Sequence, residues 1–255
     1  MQQTLVLKVG TNVLTRPDGR LDITNISHLV DQIAAAKRRG HRLILVSSGA
    51  VGAGRELLEP RDHHDEVAQR QVFSAIGQVR LMELYRQLFL GHDLRCAQLL
   101  VTKEDFRDEV HRENMLNCFR ALLDDQIVPV VNENDVVAVT ELMFTDNDEL
   151  AGLAARLLRV DALVILSSVD GLFDGPPQEA GSRLIREIGA GDAGAEDYVR
   201  QGKSSGGRGG MGTKLRIARA TAATGIPVYI GNGRRADILS GFLDGRWEGT
   251  RVNPQ

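Results

Sequence analysis

The sequence predicts an α/β fold built on a mainly parallel sheet covered on both faces. Short β-branched or apolar runs recur along the chain, most of them continuous, which is the pattern of strands buried on both sides. Longer segments of helical period separate them, at the spacing expected of strand–helix–strand crossovers. No repeat period and no stretch of linker composition interrupts the alternation, so one domain with two lobes is expected, divided near residue 160.

In order, Leu5–Val9 reads as the first strand, and Thr24–Arg39 as a helix that ends on Lys37, Arg38 and Arg39 before a terminating Gly40. Arg42–Ser47 is the second strand. Val67–Leu90 is a long helix whose apolar positions, including Val72, Ile76, Val79, Met82 and Leu88, suit a core or a subunit interface. Ala97–Thr102 and Ile127–Val131 read as strands around a helix at His111–Asp125. Val136–Phe144 suggests a β-hairpin excursion, and Asp148–Arg159 a helix leading into the strand Ala162–Ser167. Asp174–Ser205, with Pro176-Pro177 and many small residues, reads as loops around one short helix at Asp192–Arg200. A helix at Met211–Thr224 runs into Gly225-Ile-Pro and the strand Pro227–Ile230.

Composition narrows the function. With 31 Lys plus Arg against 34 Asp plus Glu in 255 residues, the net charge is −3, which disfavours a generic polyanion binder; 4% aromatic residues disfavour a stacking platform for single-stranded nucleic acid. No apolar run reaches the ~20 residues of a membrane span, and no signal peptide is evident, so a cytoplasmic protein is expected. Cys96 and Cys118 lie in apolar stretches without CxxC spacing and are expected to be buried, reduced thiols. Asp62-His-His-Asp65 has no matched ligand pair elsewhere, so it reads as surface and not as a zinc site. The outlying number is 27 glycines against 7 prolines, above the usual ~7% glycine and with no low-complexity tract to absorb them.

Their positions point to a ligand. In open parallel sheets, ligands bind beyond the carboxyl ends of the strands. Those ends here carry Lys8-Val-Gly-Thr-Asn12, then Ser47-Ser-Gly-Ala-Val-Gly-Ala-Gly-Arg55, Asn132-Glu-Asn-Asp135 followed by Thr145-Asp-Asn-Asp148, and Ser167-Ser168 before Asp170-Gly171. The glycines at 49, 52 and 54 have the wrong gaps for a dinucleotide fingerprint; they suit either an anion-binding turn or a turn for close helix packing. Gly206-Gly-Arg-Gly-Gly-Met-Gly-Thr-Lys214 departs from a Walker A loop, with Thr213 before Lys214 and no apolar strand ahead of it. It is either a phosphate-binding lid or a plain glycine-rich loop; Lys214, placed one turn into a helix against the dipole, favours the lid.

Taken together, Leu7–Leu14, Val46–Arg55, Ala75-Ile-Gly-Gln78, Val128–Asp135, Asp146-Asn-Asp148 and Gly209–Lys214 resemble the amino acid kinase family, specifically its glutamate 5-kinases, from end to end and in the family's order. The resemblance implies a three-layer αβα sandwich and transfer of the ATP γ-phosphoryl group to the γ-carboxylate of L-glutamate, the first step of proline biosynthesis. Carried over by position, it implies that Lys8 and Lys214 contact the phosphates and the transferring group. Ser48, Asn132, Asp135, Asp146 and Asn147 fall on the glutamate side, within residues 1–160. The nucleotide side, within 161–255, takes Ser167, Ser168 and the run Arg208, Gly209, Gly210, Met211, Gly212, Thr213 and Lys214, together with Lys8 and Gly10. The chain departs from the family's pattern at Ser168, Arg208 and Thr145, where Asp, Thr and Gly are common. Many bacterial members carry a C-terminal PUA domain, and a chain ending at Gln255 is expected to be a kinase domain without it. Implied companions are ATP, Mg²⁺, a homo-oligomer (dimer or tetramer) and a glutamyl phosphate reductase.

The residue types agree with that chemistry. A carboxylate nucleophile is ionised at neutral pH and needs no general base, and no histidine stands at these strand ends. Phosphoryl transfer needs in-line positioning and compensation of crowded negative charge, which Lys8, Lys214 and Mg²⁺ on the ATP phosphates would provide, with backbone N–H groups near Gly10 and Gly49. Asp135 and Asp146 can accept from a substrate ammonium, whereas Ser48, Asn132 and Asn147 can donate to its carboxylates. That acidic pair argues for an acceptor with a free amino group and against acetylated or phosphate-rich ones such as acetylglutamate or UMP; aspartate, carbamate, an inert amino-acid sensor and an RNA-binding regulator are the other rivals. One acid of the Asp146–Asp148 triplet has a competing role as a helix N-cap.

Overall fold

The computed structural model describes residues 1–60, 65–138, 144, 146–179, 181–189, 192, 194 and 210–254. Its elements run β1 (Thr4–Val9), α1 (Thr11–Leu14), α2 (Ile23–Arg38), β2 (Arg42–Ser47), α3 (Ala50–Leu57), α4 (Glu66–Leu90), β3 (Cys96–Val101), a 3₁₀ turn (Glu104–Phe106), α5 (Glu109–Asp124), β4 (Val128–Glu133), α6 (Asn147–Leu158), β5 (Ala162–Ser167), β6 (Glu187–Ile188), α7 (Met211–Ala222), β7 (Val228–Asn232), α8 (Ile238–Leu243) and β8 (Gly249–Val252). The eight strands form one sheet in the order β3-β4-β2-β1-β5-β7-β8-β6. Every pairing is parallel except β7 with β8.

Strand alternation divides the core in two. Leu5, Leu7 and Val9 of β1 face one layer with Leu29 and Ile33 of α2, Tyr85 and Phe89 of α4, and Phe242 of α8. Val6 faces the other with Val46, Ile165, Phe119 of α5, Leu150 of α6 and Leu215 of α7. Lys8 follows Val6 on that second face, in register with Val46 and Ile165. A lysine therefore occupies a position that the sheet's periodicity would otherwise fill with an apolar side chain.

Helix ends obey local chemistry. Asp22, Asp65, Asp108 and Asp146 cap α2, α4, α5 and α6 through their side chains. Gly40 ends α2 at φ +86°, and the His41 N–H reaches back to the Ala36 carbonyl, closing the last turn as the sequence predicts.

Several elements differ from the sequence reading. The run from Ala50 to Leu57 is a helix and not only a turn; Gly52 and Gly54 lower its intrinsic propensity, yet Gly54 is what lets α4 pack onto it. A Cβ on Gly54 would overlap the Phe73 carbonyl, and one on Gly77 would overlap the Ala50 carbonyl and the Gly54 nitrogen. Gly54 thus serves helix packing, whereas Gly49, at φ +104°, makes the turn before the helix. β4 extends through Asn132 and Glu133, placing them inside the sheet edge. The short elements α1, α8, β6 and β8 carry too few residues for a periodic signal. Cys118 is exposed and Cys96 half-buried, correcting the expectation of two buried thiols: α5 turns Cys118 away from its buried stripe of Phe119 and Leu123. Ile76 and Val79 of α4 face solvent. The expected helix at 192–200, most of the expected hairpin at 136–144, and residues 61–64 of the His-His stretch lie outside the described residues; Val137 and Ala138 turn back onto the Asn134 carbonyl.

The α3–α4 contact gives a direct test. Gly77→Ala is expected to cost about 2 kcal/mol or more, because backbone atoms and not flexible side chains must move. That lowers the melting temperature by roughly 5 °C or more in a chain of this size. Gly189→Ala, where a Cβ meets nothing within 4 Å, serves as the neutral control in the same thermal unfolding series.

Candidate active site

The sheet's winding reverses at its centre: β2, β4 and β3 lie to one side of β1, and β5, β7, β8 and β6 to the other. Such a reversal opens a crevice at the carboxyl ends of the central strands. Into it project Lys8 from β1, Ser48 and Gly49 after β2, Asn132 at the end of β4, and Ser167 at the end of β5, joined by the first turns of α6 and α7.

At the centre stands Asp148, fully buried in the first turn of α6. Its Oδ1 lies 2.6 Å from Lys8 Nζ and its Oδ2 2.8 Å from Lys214 Nζ. One carboxylate therefore holds together two lysines more than 200 residues apart in sequence. The approach of α7 to α6 that permits this depends on Gly152, one turn beyond Asp148: a Cβ there would sit 2.9 Å from Ile217 Cγ2 and 3.0 Å from Thr221 Oγ1. Asp146 is the N-cap, its Oδ1 accepting from the backbone N–H groups of Asp148 and Glu149 at 2.9 and 3.2 Å. The two acids of the triplet thus have different tasks: Asp146 fixes the helix start, and Asp148 takes the ammonium groups.

Electrostatics follow from burial. Desolvation pushes the Lys8 ammonium below its ordinary pKa, and the Asp148 carboxylate pulls it partly back. Burial by itself would raise Asp148, but the Lys8 and Lys214 charges overcome it and hold the carboxylate below its usual range. Asp146 is shifted upward, by burial first and then by the neighbouring Asp148 charge. Among the described residues the buried Asp146 Oδ2 atom meets no hydrogen-bond donor.

Beside the lysines, an amide cluster ties three elements together. Asn147 Nδ2 lies 3.0 Å from the Ser47 carbonyl, 3.1 Å from Ser48 Oγ and 2.9 Å from Asn132 Oδ1. Asn132 Nδ2 in turn donates to Gln78 of α4 at 3.0 Å. The buried Tyr85 hydroxyl, also on α4, meets Ser47 Oγ at 2.8 Å. Asp135 is buried and already engaged, by Arg70 at 2.6 Å and Ser74 at 2.7 Å. The structure thus joins Ser48, Asn132 and Asn147 directly, and places Asp146 beside Asp148; Asp135 sits beyond Asn132 at the end of the same strand.

On the opposite side, Ser167 Oγ accepts from the Val169 N–H and Ser168 is exposed. Gly10 caps α1, but its N–H is donated to the Leu166 carbonyl at 3.1 Å, so donors for an anion at that turn are those of the following first-turn residues, Thr11 and Asn12. Gly210 is the N-cap of α7, and Met211, Gly212 and Thr213 form its half-buried first turn. Arg208 and Gly209 lie outside the described residues. Sequence reasoning quoted Asp148 but gave it no role; the available signal was an acid at the second helical position, on the turn where Lys8 and Lys214 both needed a counter-ion. Arg70, Ser74 and Tyr85 lie in a helix whose sequence signals are its apolar stripe and the Ala75–Gln78 segment, and neither signal points to them.

The Amino acid kinase family model matches residues 3–232. The chain belongs to the amino acid kinase family. It is 51% identical over 251 residues to a glutamate 5-kinase of Chlorobaculum tepidum, covering 98% of this chain and 69% of that relative. A glutamate 5-kinase of Bacteroides thetaiotaomicron is 48% identical over 239 residues, covering 94% of this chain and 66% of the relative. This amino acid kinase therefore spans about two thirds of the length of those relatives. Carbamate kinase from Giardia lamblia bound to AMP-PNP superimposes with a TM-score of 0.70 at 20% identity, over 100% of this chain and 99% of the other. An isopentenyl phosphate kinase of T. acidophilum gives 0.71 at 15%, over 98% and 100%. At such identities these two likenesses establish the αβα fold alone.

Asp148→Asn tests the bridge. Removing the carboxylate takes away the largest charge that opposes burial at Lys8, so its pKa falls further. The alkaline limb of the kcat/KM profile is expected to move to lower pH, with turnover reduced about 100-fold or more. Because the folded pKa of Asp148 is depressed, its stabilising contribution is present above the ordinary carboxylate range and disappears as pH falls through the folded value. The melting-temperature difference between the two proteins should therefore shrink on acidification; an unchanged alkaline limb would refute the coupling.

Proposed function

We propose that this chain transfers the γ-phosphoryl group of ATP to the γ-carboxylate of L-glutamate, giving L-glutamyl 5-phosphate and ADP, the first step of proline biosynthesis. The observation that carries the reading is the Lys8–Asp148–Lys214 bridge at the sheet's carboxyl edge, set between a serine–amide–acid cluster and a nucleotide-side helix start. Supporting it, the chain covers at least 94% of its length in matches to glutamate 5-kinases at 48–51% identity.

The chemistry needs little from the protein beyond position and charge. A γ-carboxylate oxygen of glutamate attacks the γ-phosphorus while the bond to the bridging β–γ oxygen breaks and its electron pair leaves with ADP. No proton is transferred to make the nucleophile. Negative charge spreads over the transferring group, and the two ammonium groups meet it from fixed directions. Asp148 keeps them there: without a counter-ion, Lys8 in its buried site would tend to lose its proton.

Ser48, Asn132, Asp135, Asp146 and Asn147 form the glutamate side, within residues 1–160. Ser48 Oγ accepts from Asn147 and so directs its own hydrogen elsewhere, as a donor to a substrate carboxylate. The undonated Asp146 Oδ2 and the spare lone pairs of Asp135 suit an ammonium group. Residues 161–255 form the nucleotide side, with Ser167, Ser168 and the run Arg208–Lys214; Lys8 and Gly10 approach it from β1. Among the described residues no group of three or more His, Cys, Asp or Glu could hold a metal ion. Mg²⁺ is assigned to the ATP phosphates as part of the nucleotide substrate, since it keeps waters and takes few protein ligands. Among the described residues no helix is long and apolar enough to cross a membrane. A cytoplasmic homo-oligomer that hands its acyl phosphate to a glutamyl phosphate reductase completes the reading.

ADP release measured with and without glutamate tests it, with hydroxylamine trapping the acyl phosphate. Release that depends on glutamate, and a glutamyl hydroxamate product, are expected; hydroxamate from acetylglutamate but not glutamate would overturn the assignment. Lys8→Ala and Lys214→Ala should each lower kcat about 100-fold or more in protein that keeps its circular dichroism. Undiminished turnover in either variant removes that lysine from the mechanism.

A further inference from the structure

Arg70 has no part in the chemistry described so far, yet its guanidinium lies at the end of the glutamate side. It stands in the second turn of α4, and its Nη2 reaches Asp135 Oδ1 at 2.6 Å and Glu133 Oε2 at 3.3 Å. One turn on, Ser74 Oγ donates to Asp135 Oδ2 at 2.7 Å. Gln71 Nε2 meets the Val136 carbonyl at 2.8 Å, and Gln78 Oε1 accepts from Asn132. Arg70, Ser74 and Gln78 are spaced by four, so one face of the helix clasps the chain from Asn132 to Val136.

We propose that Arg70 is a positioning residue for the acceptor's ammonium group: its Nη2 bridges Asp135 and Glu133 and fixes the Asp135 carboxylate toward that group. The inference rests on the assignment of Asp135 to the ammonium made above. Two carboxylates two residues apart, both buried, repel one another unless a cation stands between them. Arg70 eases that repulsion with a charge it cannot lose. Geometry points the same way. A carboxylate has about four acceptor sites; Arg70 takes one on Oδ1 and Ser74 one on Oδ2, which sets the rotation of the group and leaves the remaining lone pairs for a ligand. Glu133, meanwhile, accepts the Phe144 N–H on Oε1 at 2.8 Å and is tied to the chain entering α6.

The test is a double-variant kinetic cycle on the full chain, following ADP release with glutamate and ATP varied separately. Arg70→Gln is expected to raise the glutamate KM about tenfold while the ATP KM changes less than about twofold. Arg70→Lys keeps the charge but not the planar, longer guanidinium and should fall between wild type and Arg70→Gln. Asp135→Asn should raise the glutamate KM at least as far, and the Arg70→Gln/Asp135→Asn protein should be no worse than Asp135→Asn alone, because Arg70 acts through Asp135. A folded Arg70→Gln enzyme with the wild-type glutamate KM, or effects that multiply in the double variant, would overturn the proposal. Wild-type glutamate KM in Asp135→Asn would instead remove the assignment of Asp135 itself, and an enzyme that never uses glutamate would remove the function. Should Arg70→Gln fail to fold, Ser74→Ala probes the same carboxylate from its other oxygen: a raised glutamate KM, not additive with Asp135→Asn, supports the mechanism, and an unchanged one overturns it.

Discussion

Taking a charged carboxylate out of water costs several kcal/mol unless cations and hydrogen bonds meet it in good geometry, and Asp148 satisfies that condition only because three separate parts of the chain converge on it. β1 brings Lys8, the first turn of α6 brings the carboxylate, and the first turn of α7 brings Lys214. Each partner needs the others. A lysine at a position that the sheet would otherwise fill with an apolar residue is tolerable only with a counter-ion, and the counter-ion is tolerable only with both lysines. Asp146 caps the helix so that Asp148 points inward, and Gly152 lets α7 come near enough for Lys214 to reach. The three groups carry one net positive charge in a site shielded from solvent, where an attraction to phosphate is stronger than it would be in water.

A second organising element is α4, which combines close backbone packing with polar and ionic contacts. Its small residues admit α3, so the turn at Ser48 and Gly49 is held from behind, and the Tyr85 hydroxyl meets Ser47 at the end of β2. Its polar residues clasp the chain from Asn132 to Val136. Both segments assigned to glutamate are therefore fastened to one rigid helix, whereas the proposed phosphate contacts are fastened to the ionic bridge. This separation suits phosphoryl transfer, in which acceptor and donor must be aligned before charge is compensated.

How far the sequence revealed this depends on the distance over which each feature is encoded. The long strands and helices were legible because their signal is local: continuous apolar runs for β1, β2 and β5, and caps such as Gly40 for α2. The helix α3 was obscured because Gly52 and Gly54 lower local propensity, and Gly54 gains its purpose only from contact with α4. Cys118 misled because an apolar neighbourhood in sequence does not say which face of α5 a residue occupies. In the candidate site, Lys8 and Lys214 stood out through their places at a strand end and a helix start. Asp148 did not, because its importance lies in meeting two residues 140 and 66 positions away. Arg70 and Ser74 were hidden for the same reason, their partner Asp135 being 65 and 61 positions distant.

The central claim is that the lysines gathered by Asp148 lie between the phosphoryl donor and the glutamate acceptor. A crystal structure with a non-hydrolysable ATP analogue, Mg²⁺ and glutamate measures this most directly. The account predicts both Nζ atoms within hydrogen-bond distance of the γ-phosphate oxygens, and a glutamate γ-carboxylate oxygen in line with the β–γ bridge. Its ammonium should face Asp135 and Asp146. Glutamate bound away from the Ser48–Asn147 cluster, or either lysine turned away from the γ-phosphate, would contradict it.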